Sequence, residues 1–130
     1  MTRDDVQRWL DRYVAAWKSY DEAEIADLFA ADAEYRYHPW SEPVRGRAAI
    51  VADWLAPGGN AASKDAEGTY DAAYEAWAVD GERAVAVGTS DYFSDATQST
   101  RERRYHNTYL LEFDADGRCR SFTENYQLER

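Results

Sequence analysis

Residues 20–50 read YDEAEIADLFAADAEYRYHPWSEPVRGRAAI, and this stretch decides the architecture. Asp21 and Glu24 have the spacing of a capping box, with Asp in place of Ser or Thr, so a helix begins after Asp21. Ile25, Leu28 and Phe29 form its apolar stripe. From Ala33 to His38 the period changes to two. Tyr35 and Tyr37 fall on one side, and Glu34, Arg36 and His38 on the other. Pro39 and Pro43 stop this strand and bend a loop. After Gly46 the pattern predicts another helix, from about Arg47 to Leu55, with Ile50, Val51, Trp54 and Leu55 on its apolar face.

Upstream, Val6, Leu10, Tyr13, Val14 and Trp17 make one stripe at the helical period, and Thr2 or Asp4 can cap its start. Downstream, Pro57-Gly58-Gly59-Asn60 ends the third helix, and residues 57–68 read as a mobile loop rather than a domain linker. The remainder reads as sheet. Thr69–Val79 and Arg83–Phe93 flank the hairpin signal Asp80-Gly81, and Arg103–Phe113 and Arg118–Gln127 flank Asp114-Ala115-Asp116-Gly117. Three helices with one early strand, then four long antiparallel strands, predict an α+β fold occupying residues 1–130 as a single domain.

Composition narrows the function classes. The net charge of −10 repels phosphate backbones, so no nucleic acid is expected as a partner. The one basic cluster, Arg101, Arg103 and Arg104, contains Glu102 and reads as a solvated strand end. Cys119 is the only cysteine, which excludes an intrachain disulfide, and it reads as a small half-buried residue rather than a reactive thiol. No apolar run suits a membrane span and Met1–Val6 opens no signal-peptide pattern, so a cytoplasmic protein is expected. The two histidines lie far apart, no carboxylate–His spacing suits a metal, and no Gly-rich phosphate loop is present. The expectation is therefore no metal and no cofactor. Aromatic residues make up 15% of the chain, more than a tight core usually needs, so either a roomy pocket or an interface can use the surplus.

Three segments carry a resemblance. ADAEY at 31–35, PVRGRAAI at 43–50 and YHNTYLLEFDADGRCRSFTE at 105–124 are similar to the SnoaL-like branch of the nuclear-transport-factor-2-like superfamily. The resemblance implies a cone, in which three helices pack on a strongly curved, mostly antiparallel sheet around an internal pocket. It implies polyketide-cyclase or steroid-isomerase-like chemistry, or plain ligand binding. It also implies a homodimer through the sheet face opposite the pocket. Fold does not fix function here, because one cone serves many activities.

The closing hairpin places the candidate chemistry. Its turn residues suit a type I turn followed by a left-handed Gly bulge, which sets Asp114 opposite Arg118. Counting outward, Thr108 then faces Glu124, Leu110 faces Phe122 and His106 faces Tyr126. These six would share the pocket face. Tyr105, Asn107, Tyr109, Leu111 and Phe113 would share the other, where Tyr105, Tyr109, Leu111 and Phe113 make an apolar stripe for the dimer. A two- or four-residue loop would instead put Asn107 beside Glu124.

In this register Glu124 is the candidate base, since a carboxylate in an aromatic cone is poorly solvated and its pKa rises. His106 and Tyr37 are its candidate assistants, and Tyr35, Tyr37 and Tyr126 candidate oxyanion donors. Trp17, Tyr35, Trp40, Trp54, Leu110, Phe122 and Tyr126 are the candidate pocket wall, with Trp40 at the mouth. The competing reading makes Glu124 and His106 ordinary surface residues of a strand. His38 is ambiguous, since its parity points away from Tyr35 and Pro39 can redirect it. The chemistry expected is cofactor-independent general acid–base catalysis on an apolar or aromatic small molecule. A non-catalytic ligand-binding module and a protein-interaction domain are the alternatives.

Overall fold

The structure is a computed structural model, and it describes residues 1–56 and 67–130. The loop predicted over 57–68 lies almost wholly outside the described residues.

Helix α1 (Arg3–Ser19) opens on Thr2, whose hydroxyl accepts from the Asp5 N–H while Asp5 accepts from the Thr2 N–H, a complete capping box. It ends at Tyr20, in the left-handed conformation with φ +50°. Helix α2 (Glu22–Leu28) is capped by Asp21, as its spacing predicts. It runs directly into β1 (Phe29–Arg36). The two-residue β2 (Val44–Arg45) and helix α3 (Arg47–Leu55) follow, and then four long strands: β3 (Tyr70–Asp80), β4 (Arg83–Phe93), β5 (Arg101–Phe113) and β6 (Cys119–Leu128).

The strands form one sheet in the order β2-β1-β6-β5-β4-β3. All pairs are antiparallel except β1 with β6. The sheet is curved and not closed, and the helices pack within its concave side. This is the expected α+β cone, with one parallel pair that the strand signals did not reveal.

Helix α1 also guards the sheet edge. An edge strand offers unpaired backbone groups to any passing strand. The Gln7 amide donates to the Tyr74 carbonyl at 2.8 Å and accepts from the Ala76 N–H at 3.0 Å. Arg3 adds a bond to the Ala76 carbonyl at 2.9 Å.

The core is unusually aromatic. Trp9 is buried against Tyr13, Phe29, Phe113 and Phe122, and its indole N–H donates to the Leu28 carbonyl at 2.9 Å. Phe122 stacks on Tyr35 with centroids 4.4 Å apart and planes 6° from parallel. Trp54 stacks on Trp17 at 4.3 Å.

Glycine is required at position 88 for space rather than for dihedral freedom. A Cβ there would lie 2.1 Å from the Ala73 carbonyl oxygen and 2.5 Å from the Tyr74 ring. Gly88 thus lets that ring lie flat over β4, opposite its own strand partner. Gly88→Ala is expected to destabilise by about 2–3 kcal/mol, the upper part of the range for overpacking, because the nearest atom is backbone and cannot yield. Urea unfolding checks this, and an unchanged midpoint would refute it.

The closing hairpin departs from the expected register. The turn itself forms as read: the Asp114 N–H donates to the Arg118 carbonyl at 2.8 Å, and Gly117 is left-handed at φ +79°. Phe113 pairs with Cys119, but the next pair is Glu112 with Ser121, so Arg120 is an extra bulged residue. Beyond it Glu124 faces Tyr109, Phe122 faces Leu111 and Tyr126 faces Asn107. The physical reason is burial. Cys119 and Phe122 are both fully buried, and residues three apart cannot point the same way in a regular strand. One inserted residue brings both inside.

Every β5 side chain consequently takes the face opposite to the one expected. Tyr109, Leu111 and Phe113 are buried in the core and form no external stripe. His106 and Leu110 lie on the outer face.

Candidate functional site

A cavity of about 320 Å³ opens at the wide end of the cone. Strand β6 sends Glu124 and Tyr126 into it, β5 sends Arg103, Tyr105, Asn107 and Tyr109, and α1 sends Tyr13 and Trp17.

Glu124 sits among rings. Its carboxylate accepts a hydrogen bond from the Tyr35 hydroxyl at 2.8 Å, and that hydroxyl lies 3.2 Å from the hydroxyl of Tyr13. The parallel pairing of β1 with β6 sets Tyr35 against Phe122 and so positions its hydroxyl. Desolvation pushes the Glu124 pKa up from 4.5 to about 7, against the opposing effect of the tyrosine hydrogen bonds. The residue as a whole is only partly buried, because one side of it faces the cavity. The carboxylate is nevertheless enclosed closely enough to lose most of its hydration. Tyr13 and Tyr35 are buried, and their phenol pKa values lie well above the ordinary value, first through desolvation and then through the Glu124 charge. They are hydrogen-bond donors here, not acids.

A second polar cluster also lines the cavity. The Tyr74 hydroxyl oxygen accepts from the Asn107 amide at 3.0 Å and from the Tyr109 hydroxyl at 2.8 Å. Asn107 also donates to Ser90 Oγ at 3.0 Å. Ser90 and Tyr70 are further hydrogen-bond partners of this hydroxyl, so Tyr74 is the hub of a polar network, and the bonds it accepts polarise its O–H. Tyr74 lines the cavity.

The mouth is a ladder of rings, each step crossing to the next strand. Tyr70 to Tyr92, Tyr92 to Tyr105 and Tyr105 to Tyr126 are separated by 5.5, 5.8 and 5.6 Å between centroids. His38 continues it 5.1 Å from Tyr126 and stacks on Trp40 at 4.8 Å.

Of the residues singled out from sequence, Glu124, Tyr37, Trp17 and Tyr126 line the cavity. Tyr35 lies beneath the lining and touches it through Glu124, Tyr13 and Tyr37. Tyr37 gives its proton to Asp53 at 2.6 Å, so it does not offer an oxyanion donor. Tyr37→Phe is accordingly expected to change the rate of any reaction in the cavity less than threefold, which steady-state kinetics would check.

His106 is not near Glu124. The Arg120 bulge turns it to the outer face, where it meets Glu129 at 3.0 Å. Leu110 is turned outward in the same way and is 53% exposed. Trp54 and Phe122 are fully buried core residues behind the wall. Trp40 is 81% exposed, outside the mouth, stacked on the His38 ring. His38 does line the cavity, since β1 ends at Arg36 and the Pro39 loop redirects it.

Sequence reasoning missed Tyr74, Asn107 and Tyr109 as site residues. The signal for the two on β5 was present, as the alternative hairpin register that puts Asn107 beside Glu124. Among the described residues no group of His, Cys, Asp and Glu side chains is placed to hold a metal ion. No described helix is long and apolar enough to cross a membrane.

The model of the SnoaL-like domain matches residues 10–122, most of the chain. This chain belongs to the SnoaL-like domain family. Solved structures agree on the fold. A protein from Sphaerobacter thermophilus aligns at TM-score 0.62 with 21% identity, covering 92% of this chain and 93% of that one. An NTF2-like protein with a cystatin-like fold from Novosphingobium aromaticivorans aligns at 0.62 with 20% identity, covering 94% and 79%. An NTF2-like protein of unknown function from Burkholderia xenovorans LB400 aligns at 0.65 with 17% identity, covering 95% and 84%. A search of curated proteins returns no match. At these identities the solved relatives speak to the cone and not to what occupies it. SnoaL-like domains include isomerases, cyclases and ligand binders, so the activity of this member rests on its own cavity.

Proposed function

We propose that the chain is a cofactor-independent enzyme acting by general acid–base chemistry on an apolar or aromatic carbonyl compound. The observation that carries the reading is the Glu124 carboxyl. It faces an aromatic cavity, takes a hydrogen bond from Tyr35 at 2.8 Å, and has its pKa raised to about 7. A general base is most effective when its pKa lies near the working pH, since it is then both available and willing to hold the proton.

In the proposed step Glu124 takes the proton from a carbon beside the carbonyl. The electron pair moves onto the carbonyl oxygen. The Tyr74 hydroxyl, polarised by Asn107 and Tyr109, donates to that developing oxyanion. Glu124 then returns the proton to another carbon, for isomerisation, or the enolate carbon attacks a second carbonyl, whose oxygen takes the proton back from Glu124, for cyclisation. Tyr13 and Tyr35 hold the carboxylate in one orientation throughout.

Deuterium exchange tests the reading without knowledge of the natural substrate. A panel of planar aromatic ketones with acidic α-hydrogens is incubated with the protein in D₂O, and mass spectrometry follows the label. Protein-dependent exchange, lost in Glu124→Gln, is expected. Binding of the ketones with no exchange would overturn the reading in favour of a binding module. His106→Ala should leave exchange unchanged, because His106 faces away from the cavity.

The homodimer expectation needs a different surface from the stripe first assigned to it. The outer face carries Leu110 and Trp77, 53% and 64% exposed, beside a groove lined by Val85 and Thr123. We propose this face for the second copy. Leu110→Lys should convert a dimer to a monomer in light scattering, and a wild-type monomer at micromolar concentration would refute the dimer.

A further inference from the structure

Arg103 is the only Arg or Lys among the described residues lining the cavity. Its guanidinium carbon lies 4.2 Å from the centre of the Tyr92 ring, within the aromatic ladder at the mouth. Among the described residues its nearest carboxylate is that of its sequence neighbour Glu102, at 3.9 Å, too far for a hydrogen bond. Arg104, one residue on and therefore on the outer face, is clamped by Asp91 through two bonds of 2.6 and 2.8 Å. The acid at the cavity lip, Glu42, is paired with Arg45 at 3.5 Å. Arg103 thus lines the cavity with no hydrogen-bonded acceptor among the described residues, while one flat face rests on Tyr92.

A guanidinium fork matches a carboxylate with two parallel hydrogen bonds, and an aromatic surround strengthens the pairing by excluding water. The chain as a whole carries −10 and repels anions at a distance. A local cation is therefore needed if an anionic ligand is to be held here.

We propose that Arg103 selects ligands that are planar aromatic carboxylates. The carboxylate binds the guanidinium at the mouth, the ring system lies against Tyr92, Tyr105 and Tyr126, and the far end of the ligand points down the cavity towards Glu124. The proposal rests on the cavity being a small-molecule site, but not on Glu124 acting as a base.

The test uses 2-naphthoate and 2-naphthamide, which share a shape and differ in charge, with titration calorimetry on the wild type, Arg103→Gln, Arg103→Lys and Glu124→Gln. Wild type should bind the naphthoate roughly 10- to 100-fold more tightly than the amide, the value of one charge-assisted bidentate pair. Arg103→Gln should remove that preference and leave the amide affinity unchanged, which also reports that the cavity has kept its shape. Arg103→Lys should restore part of it, and added salt should narrow it in the wild type. Glu124→Gln should keep the preference. Equal affinities in the wild type, no binding of either probe at millimolar concentration, or a preference that survives Arg103→Gln would overturn the proposal. A preserved preference with no deuterium exchange would overturn only the proton-transfer reading.

Discussion

Glu124→Gln should slow proton transfer by roughly 10²- to 10⁴-fold, the usual worth of a positioned general base. The two side chains are nearly the same size, and the glutamine carbonyl can still accept from Tyr35. The fold and the ligand affinity should therefore change little, and the loss should fall on kcat. A wild-type pH profile should rise with the ionisation of Glu124, towards a plateau above about pH 7, and the variant should lack that limb. Tyr74→Phe removes one oxyanion donor and should cost about 10²-fold, with the pH profile unmoved. A variant at Glu124 that keeps wild-type exchange would remove this residue from the chemistry.

The same substitution should change stability in the opposite sense, and with a particular pH dependence. The folded state raises the Glu124 pKa from 4.5 to about 7, so between those values the native protein holds a proton that the unfolded chain has released. Stability is then fully present below about pH 4.5 and falls as the pH rises towards 7. At about 1.4 kcal/mol for each tenfold in proton affinity, the loss is roughly 3 kcal/mol once Glu124 is ionised. Glutamine does not titrate. Relative to the wild type, Glu124→Gln should gain stability steadily from about pH 4.5 to 7 and hold a constant advantage above it. The remaining carboxylates cancel in this difference. Urea denaturation of both proteins at pH 4, 6 and 8 measures it, and parallel curves would contradict a desolvated carboxyl.

Most of the cone was legible from local signals. Asp21 with Glu24 marked a helix start, the Tyr35–Tyr37 alternation marked a strand, and Asp114 with Gly117 marked the last turn. Each of these is a short-range preference that tertiary structure had no reason to override. The parallel pairing of β1 with β6 was not legible, because it joins residues nearly ninety positions apart with no turn between them.

The site was half legible, and the failure on the closing hairpin traces to one residue. Glu124 and Tyr126 reach the cavity as expected, but they reach it beside Tyr109 and Asn107 instead of Thr108 and His106. The turn was read correctly, and the Arg120 bulge then shifted the register by one. A signal for it existed. Cys119 and Phe122 are three apart, and Tyr105, Tyr109, Leu111 and Phe113 form a more apolar face than His106, Thr108 and Leu110. Burying the apolar faces of both strands together demands an inserted residue. Taking that stripe for an interface hid the conflict, and with it Tyr74, whose partner in the sheet is Gly88 and whose hydroxyl is organised by residues from β5.

The proposed chemistry stands on the ionisation of one carboxyl. The most direct measurement is the pH titration of the Glu124 side-chain carbonyl by ¹³C NMR, with the signal assigned by its absence in Glu124→Gln. A midpoint near 7 is predicted. A midpoint near 4.5, the ordinary value for a solvated glutamate, would contradict it.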